Sequence, residues 1–205
     1  QTCALPIYGS LLPDYRGAAP INWAIINGER VTGVTTFRIR QEIDTGNILF
    51  REEEPIHADD DAGTLYNRLM NRGANLMVKT VDAIADGTAT EIPQQLEQGN
   101  HPAAPKIFRE TCLIDWNKQS DQVINHIRGL SPYPAAWTEL NGKACKIFRA
   151  KRADGLKAAT PGTLHSDGKS VLEFRTADGW VSIEELQPEG KKRMSTAAFL
   201  AGHKI

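Results

Sequence analysis

Leu65, Leu69, Met77, Val81 and Ile84 return at helical intervals between an acidic run, Asp59 to Asp61, and the pair Asp86-Gly87. The spacing predicts one long helix whose apolar stripe is core. The carboxylates at its start suit the positive end of a helix dipole, and Asp86-Gly87 supplies the stop. Ala18 to Asn27 reads as a shorter helix that offers Trp23, Ile25 and Ile26 to a core. Between the two helices the period changes. Val31 to Ile39 is strand-like, with Val34, Thr35, Thr36 and Phe37 β-branched or aromatic. Asn47 to Phe50 opens a second strand, which runs through the charged stretch Arg51 to Glu54 and stops at Pro55.

Beyond residue 88 neither period persists. Residues 88–110 hold Pro93, Pro102, Pro105, several glutamines and Gly99-Asn100, and read as a linker. His101 is expected there as a solvent-exposed residue. Ser120 to Arg128 then forms a short helix with Val123, Ile124 and Ile127 on one face, ended by Gly129. Pro132 and Pro134 impose an extended exit. The remainder is strand-rich. Ala136 to Leu140 and Lys143 to Lys151 flank Asn141-Gly142, the strongest short hairpin signal. Val171 to Thr176 and Trp180 to Leu186 flank a second turn at Ala177-Asp178-Gly179. Short, closely spaced strands predict a small barrel, and Ser195 caps a last helix around Ala197 to Leu200.

The length of 205 residues suits one large domain or two small ones. Net charge is −1, but it is unevenly placed. Residues 1–106 carry 9 Lys/Arg against 14 Asp/Glu, and residues 107–205 carry 15 against 11. An acidic half followed by a basic half suggests two domains with different partners, the basic one facing either a polyanion or only solvent. The scattered cysteines Cys3, Cys112 and Cys145 have no metal-ligand spacing and read as reduced cytosolic thiols, so no metal is expected. No apolar run approaches the ~20 residues that span a bilayer.

Two stretches are not packing material. In Ser10-Leu11-Leu12-Pro13-Asp14-Tyr15-Arg16-Gly17, a proline stops a short apolar run and a fixed charge precedes a glycine, the marks of a shaped loop. Asp44-Thr45-Gly46 interrupts two strands; a carboxylate there is either a turn former or a site residue.

The run SLLPDYRGAAPINWAI (residues 10–25), followed by TGVTTFRI (32–39) and DTGNILF (44–50), resembles the folate-dependent formyltransferases. The resemblance continues through APKI (104–107), IDW (114–116), IRGLSPYPAAW (127–137) and LQPEGKKRMS (186–195), and so covers roughly residues 9 to 202 in order. It implies an α/β fold in which residues 9–87 are the C-terminal part of a Rossmann-like catalytic domain. Residues 88–110 would be the linker, and residues 111–205 a small β-barrel of the oligonucleotide-binding (OB-like) type. Residues 1–8 read as a foreign leader. Where the family has Asn-x-His, Pro6 and Tyr8 stand here, and proline has no side-chain donor. A tyrosine hydroxyl titrates near ~10 and is a poor proton shuttle at neutral pH.

The resemblance further implies transfer of a formyl group from 10-formyltetrahydrofolate to an amine, with no metal. Its methionyl-tRNA branch would make initiator methionyl-tRNA the partner, in the cytoplasm, with the protein a monomer. Such a site needs donors for a developing oxyanion and a group that handles protons. Asp44 would be the catalytic carboxylate. Ser10, Leu11, Leu12, Pro13, Arg16, Gly17, Ile43, Thr45 and Gly46 would border folate and substrate. Lys191, Lys192 and Arg193, extended by Lys146 and Arg149, would meet tRNA phosphates. Action on another amine, and a non-catalytic RNA-binding remnant, are the alternatives. With Pro6 and Tyr8 in place, the chain by itself is expected to be inactive.

Overall fold

A computed structural model of the chain describes residues 5–39, 46–94, 101–154 and 158–203. It divides into two compact units, Gln1–Ala24 with Glu29–Ile107, and Ile25–Gly28 with Phe108–Ile205. Both α-helices and β-strands are present in quantity, so the fold is mixed α/β.

In the first unit the elements are β1 (Ile7–Tyr8), β2 (Arg16–Gly17), α1 (Pro20–Ile26, except Ile25 and Ile26, which fall in the second), β3 (Val31–Phe37), β4 (Ile48–Pro55), α2 (Ala62–Ala85) and β5 (Ala103–Ala104). Strands β1, β3 and β4 form an antiparallel sheet in that order. Ile7 and Tyr8, read from the sequence as the end of a leader, thus pair with Thr36 and Thr35 of β3. From Thr32 onward β3 is buried on both faces, so its threonines need internal partners. Thr80 donates its hydroxyl proton to the Leu76 carbonyl at 2.7 Å, which leaves Thr36 to donate to Thr80 at 2.9 Å. This bond ties α2 to the centre of the sheet.

The long helix begins with a reciprocal cap. Asp61 accepts from the Thr64 amide, and the Thr64 hydroxyl accepts from the Asp61 amide. Its buried face is Ala62, Leu65, Leu69, Gly73, Leu76 and Thr80. That corrects the expected stripe beyond Leu69: Val81 is exposed, and the buried line runs one position earlier. The cause is the helical period: steps of four residues drift off one face at about 100° per residue, which carries Met77 and Val81 away while Gly73, Leu76 and Thr80 stay with Leu69. At Gly73 an added Cβ would lie 3.1 Å from Ile7, so the helix seats against β1 through a residue with no hydrophobic signal.

At the start of α2, two carboxylates are almost wholly buried, Glu54 and Asp60. Arg68 donates to Glu54 at 2.7 Å and to both oxygens of Asp60 at 2.6 Å, and Arg72 donates to Glu54 at 2.6 Å. Burial alone would raise the Asp60 carboxyl, but Arg68, the His57 amide and Thr64 outweigh it and hold it at about 2.

The second unit contains α3 (Ser120–Leu130), β6 (Ala136–Leu140), β7 (Lys143–Ala153), β8 (Leu164–Ser166), β9 (Leu172–Arg175), β10 (Trp180–Pro188), β11 (Met194–Ser195) and α4 (Thr196–Gly202). Its antiparallel sheet has the order β6-β7-β10-β9-β8, with β11 also on β10. Asn141 and Gly142 both have positive φ, 50° and 75°, as the two-residue turn between β6 and β7 requires. Two expectations shift. The helix α3 continues through Gly129 to Leu130, and a short strand, β8, appears where the sequence showed no period. Trp116 stacks on Phe174 with centroids 4.2 Å apart, over a core of Ile127, Ile147, Ile183 and Leu186. Cys112 and Cys145 are free and buried, and burial raises both thiols, Cys145 to about 11. No helix among the described residues is long and apolar enough to cross a membrane.

Replacing Arg68 with methionine leaves two carboxylates buried without their main partner. The expected loss is about 3 kcal/mol, measured by urea unfolding at neutral pH. The parent carries the matching pH signature. Asp60 is depressed in the folded state, so its contribution is complete above the unfolded value of ~3.9 and is lost as pH falls toward about 2. Arg68→Met should flatten the stability profile in that window. An unchanged profile would show that the cluster contributes nothing.

Candidate functional site

The loop from Gly9 to Gly17 is held on every side by backbone and hydroxyl groups. Ser10 is fully buried and donates its hydroxyl to the Asp14 carbonyl at 2.6 Å, while the Asp14 amide returns to Leu11 at 3.1 Å. Leu12 is fully buried beside Phe37 and Ile48. Its amide donates to the Thr35 hydroxyl at 3.1 Å, and that hydroxyl donates to the Ser10 carbonyl at 2.7 Å. The Leu12–Pro13 peptide bond is cis. Tyr15 has φ of 59°, buries its ring and donates its hydroxyl to Glu29 at 2.6 Å.

Arg16 and Gly17 then pair in parallel with Ala103 and Ala104. Gly17 is required at this position: its φ is 133°, and a Cβ would lie 2.2 Å from the Ala104 carbonyl oxygen. The residues that the sequence grouped together therefore separate. Ser10 and Leu12 are internal supports, Leu11, Pro13 and Arg16 are half-buried, and Gly17 is exposed.

Tyr8, where the resemblance leads one to expect a histidine, has its hydroxyl occupied by this loop. It accepts from the Gly17 amide at 2.6 Å and donates to the Gly17 carbonyl at 2.7 Å. Its ring meets Phe37 edge-on at 6.4 Å. His101 is a correction: it is half-buried, not a solvent-exposed linker residue, and its Nδ1 lies 2.5 Å from Asp14. The neighbouring carbonyl of Pro102 accepts from Tyr15, and that of Pro105 from the Trp23 indole.

Ile43, Asp44 and Thr45 lie outside the described residues. Their flanks are well defined. The Arg38 amide donates to Asn47 at 2.9 Å, and Gly46 is so close to Arg38 that a Cβ would lie 1.4 Å from the Arg38 carbonyl oxygen. A strip from the stretch after α2 secures this point. Ile48 and Ile92 exchange backbone bonds at 2.8 Å, Gln94 donates to the Gly46 carbonyl at 2.8 Å, and Glu91 accepts from Asn47 and pairs with Arg38. Sequence reading missed Glu91, Ile92 and Gln94. Their only signal is a single apolar residue in a polar run.

In the second unit, Lys146 and Arg149 are exposed on β7, and Lys191, Lys192 and Arg193 are exposed after β10. They are electrostatically unlike. Arg149 and Lys151 share Glu184 at 3.2 and 2.9 Å, and Arg193 pairs with Glu185 while lying 4.4 Å above the Phe148 ring. Among the described residues, no carboxylate is within ion-pair distance of Lys146, Lys191 or Lys192.

Two family models match the chain. The formyl transferase model matches residues 1–81, and the formyl transferase C-terminal domain matches residues 106–204. A methionyl-tRNA formyltransferase of Azobacteroides pseudotrichonymphae is 50% identical over 206 residues, covering 96% of this chain and 64% of that protein. One from Bacteroides fragilis is 46% identical over 203 residues, covering 96% and 63%. The chain thus spans a little under two thirds of the length of these relatives. Among solved structures, HypX from Aquifex aeolicus in complex with tetrahydrofolic acid superposes with a TM-score of 0.73 at 23% identity, covering 97% of this chain and 35% of that one. An N-formyltransferase from Helicobacter canadensis, with folinic acid and dTDP-3-aminofucose, gives 0.70 at 22%, covering 93% and 66%. At these identities the likeness is one of fold.

Gly46→Ala tests the closeness of the strand ends that flank Asp44. The methyl group would overlap the Arg38 carbonyl, so the strands must part. We expect a loss of at least ~2 kcal/mol in urea unfolding, together with faster hydrogen exchange at the Arg38 amide. A loss below about 0.5 kcal/mol would show that the two ends adjust freely.

Proposed function

The chain belongs to the formyl transferase family, and from that premise we propose that it serves formyl transfer from 10-formyltetrahydrofolate to the amino group of initiator methionyl-tRNA, a step of translation initiation. The observation that carries this reading is the pinned loop Ser10 to Gly17, bonded to Thr35 close to the end of β3 from which the chain runs on toward the Asp44 segment. Residues 9–87 are read as the C-terminal part of a Rossmann-like catalytic domain, 88–110 as the linker and 111–205 as an OB-type barrel. We read the protein as cytoplasmic and monomeric, with no metal.

In the reaction the amine attacks the formyl carbon and negative charge develops on the formyl oxygen; as that charge collapses, the bond from the formyl carbon to the folate nitrogen breaks, the amine gives up a proton, and tetrahydrofolate leaves with a proton on that nitrogen. Asp44 is assigned to proton handling. Leu11, Pro13, Arg16, Gly17, Ile43, Thr45 and Gly46 are assigned to the rim that receives folate and substrate, with Ser10 and Leu12 supporting that rim from inside. Arg16 offers a permanent cation for a carbonyl or phosphate oxygen. Lys146, Lys191 and Lys192, free of carboxylates among the described residues, are assigned to tRNA phosphates. Arg149 and Arg193 share that surface but are partly neutralised by Glu184 and Glu185.

Residues 1–205 by themselves are expected to be inactive. Pro6 has no donor side chain, and the Tyr8 hydroxyl is already bonded to both backbone groups of Gly17. The alternative of a non-catalytic RNA-binding protein rests on this same feature.

The test supplies methionyl-tRNA and 10-formyltetrahydrofolate to the chain, and to a fusion in which residues 1–8 are replaced by the N-terminal part of the Bacteroides fragilis relative. Formyl-methionyl-tRNA is expected only from the fusion. In the fusion, Asp44→Asn should lower turnover by roughly 100- to 10,000-fold with tRNA affinity nearly unchanged. Turnover within about threefold of the parent would remove Asp44 from the chemistry, and a fusion that formylates no methionyl-tRNA would overturn the assignment.

A further inference from the structure

A cavity of about 460 Å³ opens in the second unit beside the β6–β7 turn. That volume lies within the range of small-ligand sites. Leu140, Pro188 and Phe199 give it an apolar floor, Lys143 and Lys191 bring two exposed cations to its lining, and Glu189 brings one carboxylate. His203 also lines it and lies flat on Phe199, with ring centroids 4.6 Å apart and planes 19° from parallel. The lining therefore combines two exposed lysines and one exposed carboxylate with apolar side chains and an aromatic stack.

The histidine has a defined tautomer. Its Nδ1 is 3.0 Å from the Phe199 carbonyl, which only accepts, so Nδ1 carries a proton. In the neutral ring Nε2 is then an acceptor. Phe199 covers one face of the imidazole, and His203 is otherwise exposed. Neither Lys143 nor Lys191 has a carboxylate within ion-pair distance among the described residues, in contrast to Arg149, Lys151 and Arg193 on the same sheet. Planar apolar surface between unneutralised cations is the chemistry that holds single-stranded nucleic acid, where bases stack on aromatic rings and phosphates meet lysine.

We propose that this cavity is a nucleoside-binding site: it takes one unpaired base of the tRNA, stacked on His203, with the flanking phosphates on Lys143 and Lys191. The proposal rests on the reading of tRNA as partner and adds a base-binding subsite to it.

The test uses residues 1–205 with three probes: a six-nucleotide single-stranded RNA carrying 2-aminopurine, a twelve-base-pair RNA duplex without unpaired bases, and initiator tRNA. Binding of the single strand should quench 2-aminopurine, which reports stacking in the parent protein directly and depends on no variant. His203→Ala should weaken single-strand binding by roughly 5- to 150-fold while leaving duplex binding and the salt slope alone. Lys143→Ala and Lys191→Ala should each lower the slope of log K against log salt by about 0.7 for the single strand. Unquenched 2-aminopurine in a bound complex, or parent-like single-strand affinity in a folded His203→Ala, would overturn the subsite. If tRNA binding stays strong and salt-sensitive in that case, the tRNA reading stands without it. Failure of the parent chain to bind any of the three probes would overturn both.

Discussion

The Thr35 hydroxyl lies wholly inside the first unit and makes two bonds, accepting the Leu12 amide and donating to the Ser10 carbonyl. A buried strand has few ways to fix a loop that crosses it, because each polar group brought inside must find a partner. Here one side chain satisfies both backbone groups of the crossing chain. Leu12 is thereby set down beside Phe37 and Ile48, and the segment from Pro13 to Gly17 is directed outward. Valine at position 35 would match the shape and leave both backbone groups unpaired. The pattern of the loop motif is thus fixed by a residue outside the motif, on a strand whose sequence reads simply as β-branched.

The strong periods and turn signals were readable. The start of β3, the helix opened by the acidic run, the Asn141-Gly142 turn and the Ser195 cap all follow from local chemistry, whereas β3 ends at Phe37, short of the expected Ile39. What local chemistry does not encode is partnership across the chain. Val81 looks as apolar as Leu76, yet Leu76 is on the buried face and Val81 is exposed, and Gly73 sits on that face against Ile7 with no hydrophobic signal at all. The stretch after α2 carries no period because its bonds are single, one residue at a time: Ile92 to Ile48, Gln94 to Gly46, Ala103 to Arg16. The loop Ser10 to Gly17 was legible as a motif and by resemblance. Its division into buried and half-buried residues was not, since serine and leucine look alike in a sequence whether they hold a loop from inside or lie on its surface.

A similar distinction governs the basic half. Counting lysines and arginines gives a cationic surface, yet pairing separates it into two populations. Arg149, Lys151 and Arg193 are engaged with Glu184 and Glu185, and the lysines nearer the β6–β7 turn are not. Exposed ion pairs add little to stability. They do reduce the local field, so the attraction felt by a polyanion is strongest at one end of the sheet.

The parallel pairing of Arg16-Gly17 with Ala103-Ala104 has a consequence for the order in which the molecule assembles. The partners are far apart in the chain, as are Asp14 and His101, 87 residues from each other. Contacts of such sequence separation form late, because the loop between them must close first. On a ribosome adding roughly 5 to 20 residues each second, the motif loop waits several seconds for the strand that completes it. Until then the edge formed by Arg16 and Gly17 lacks its partner strand.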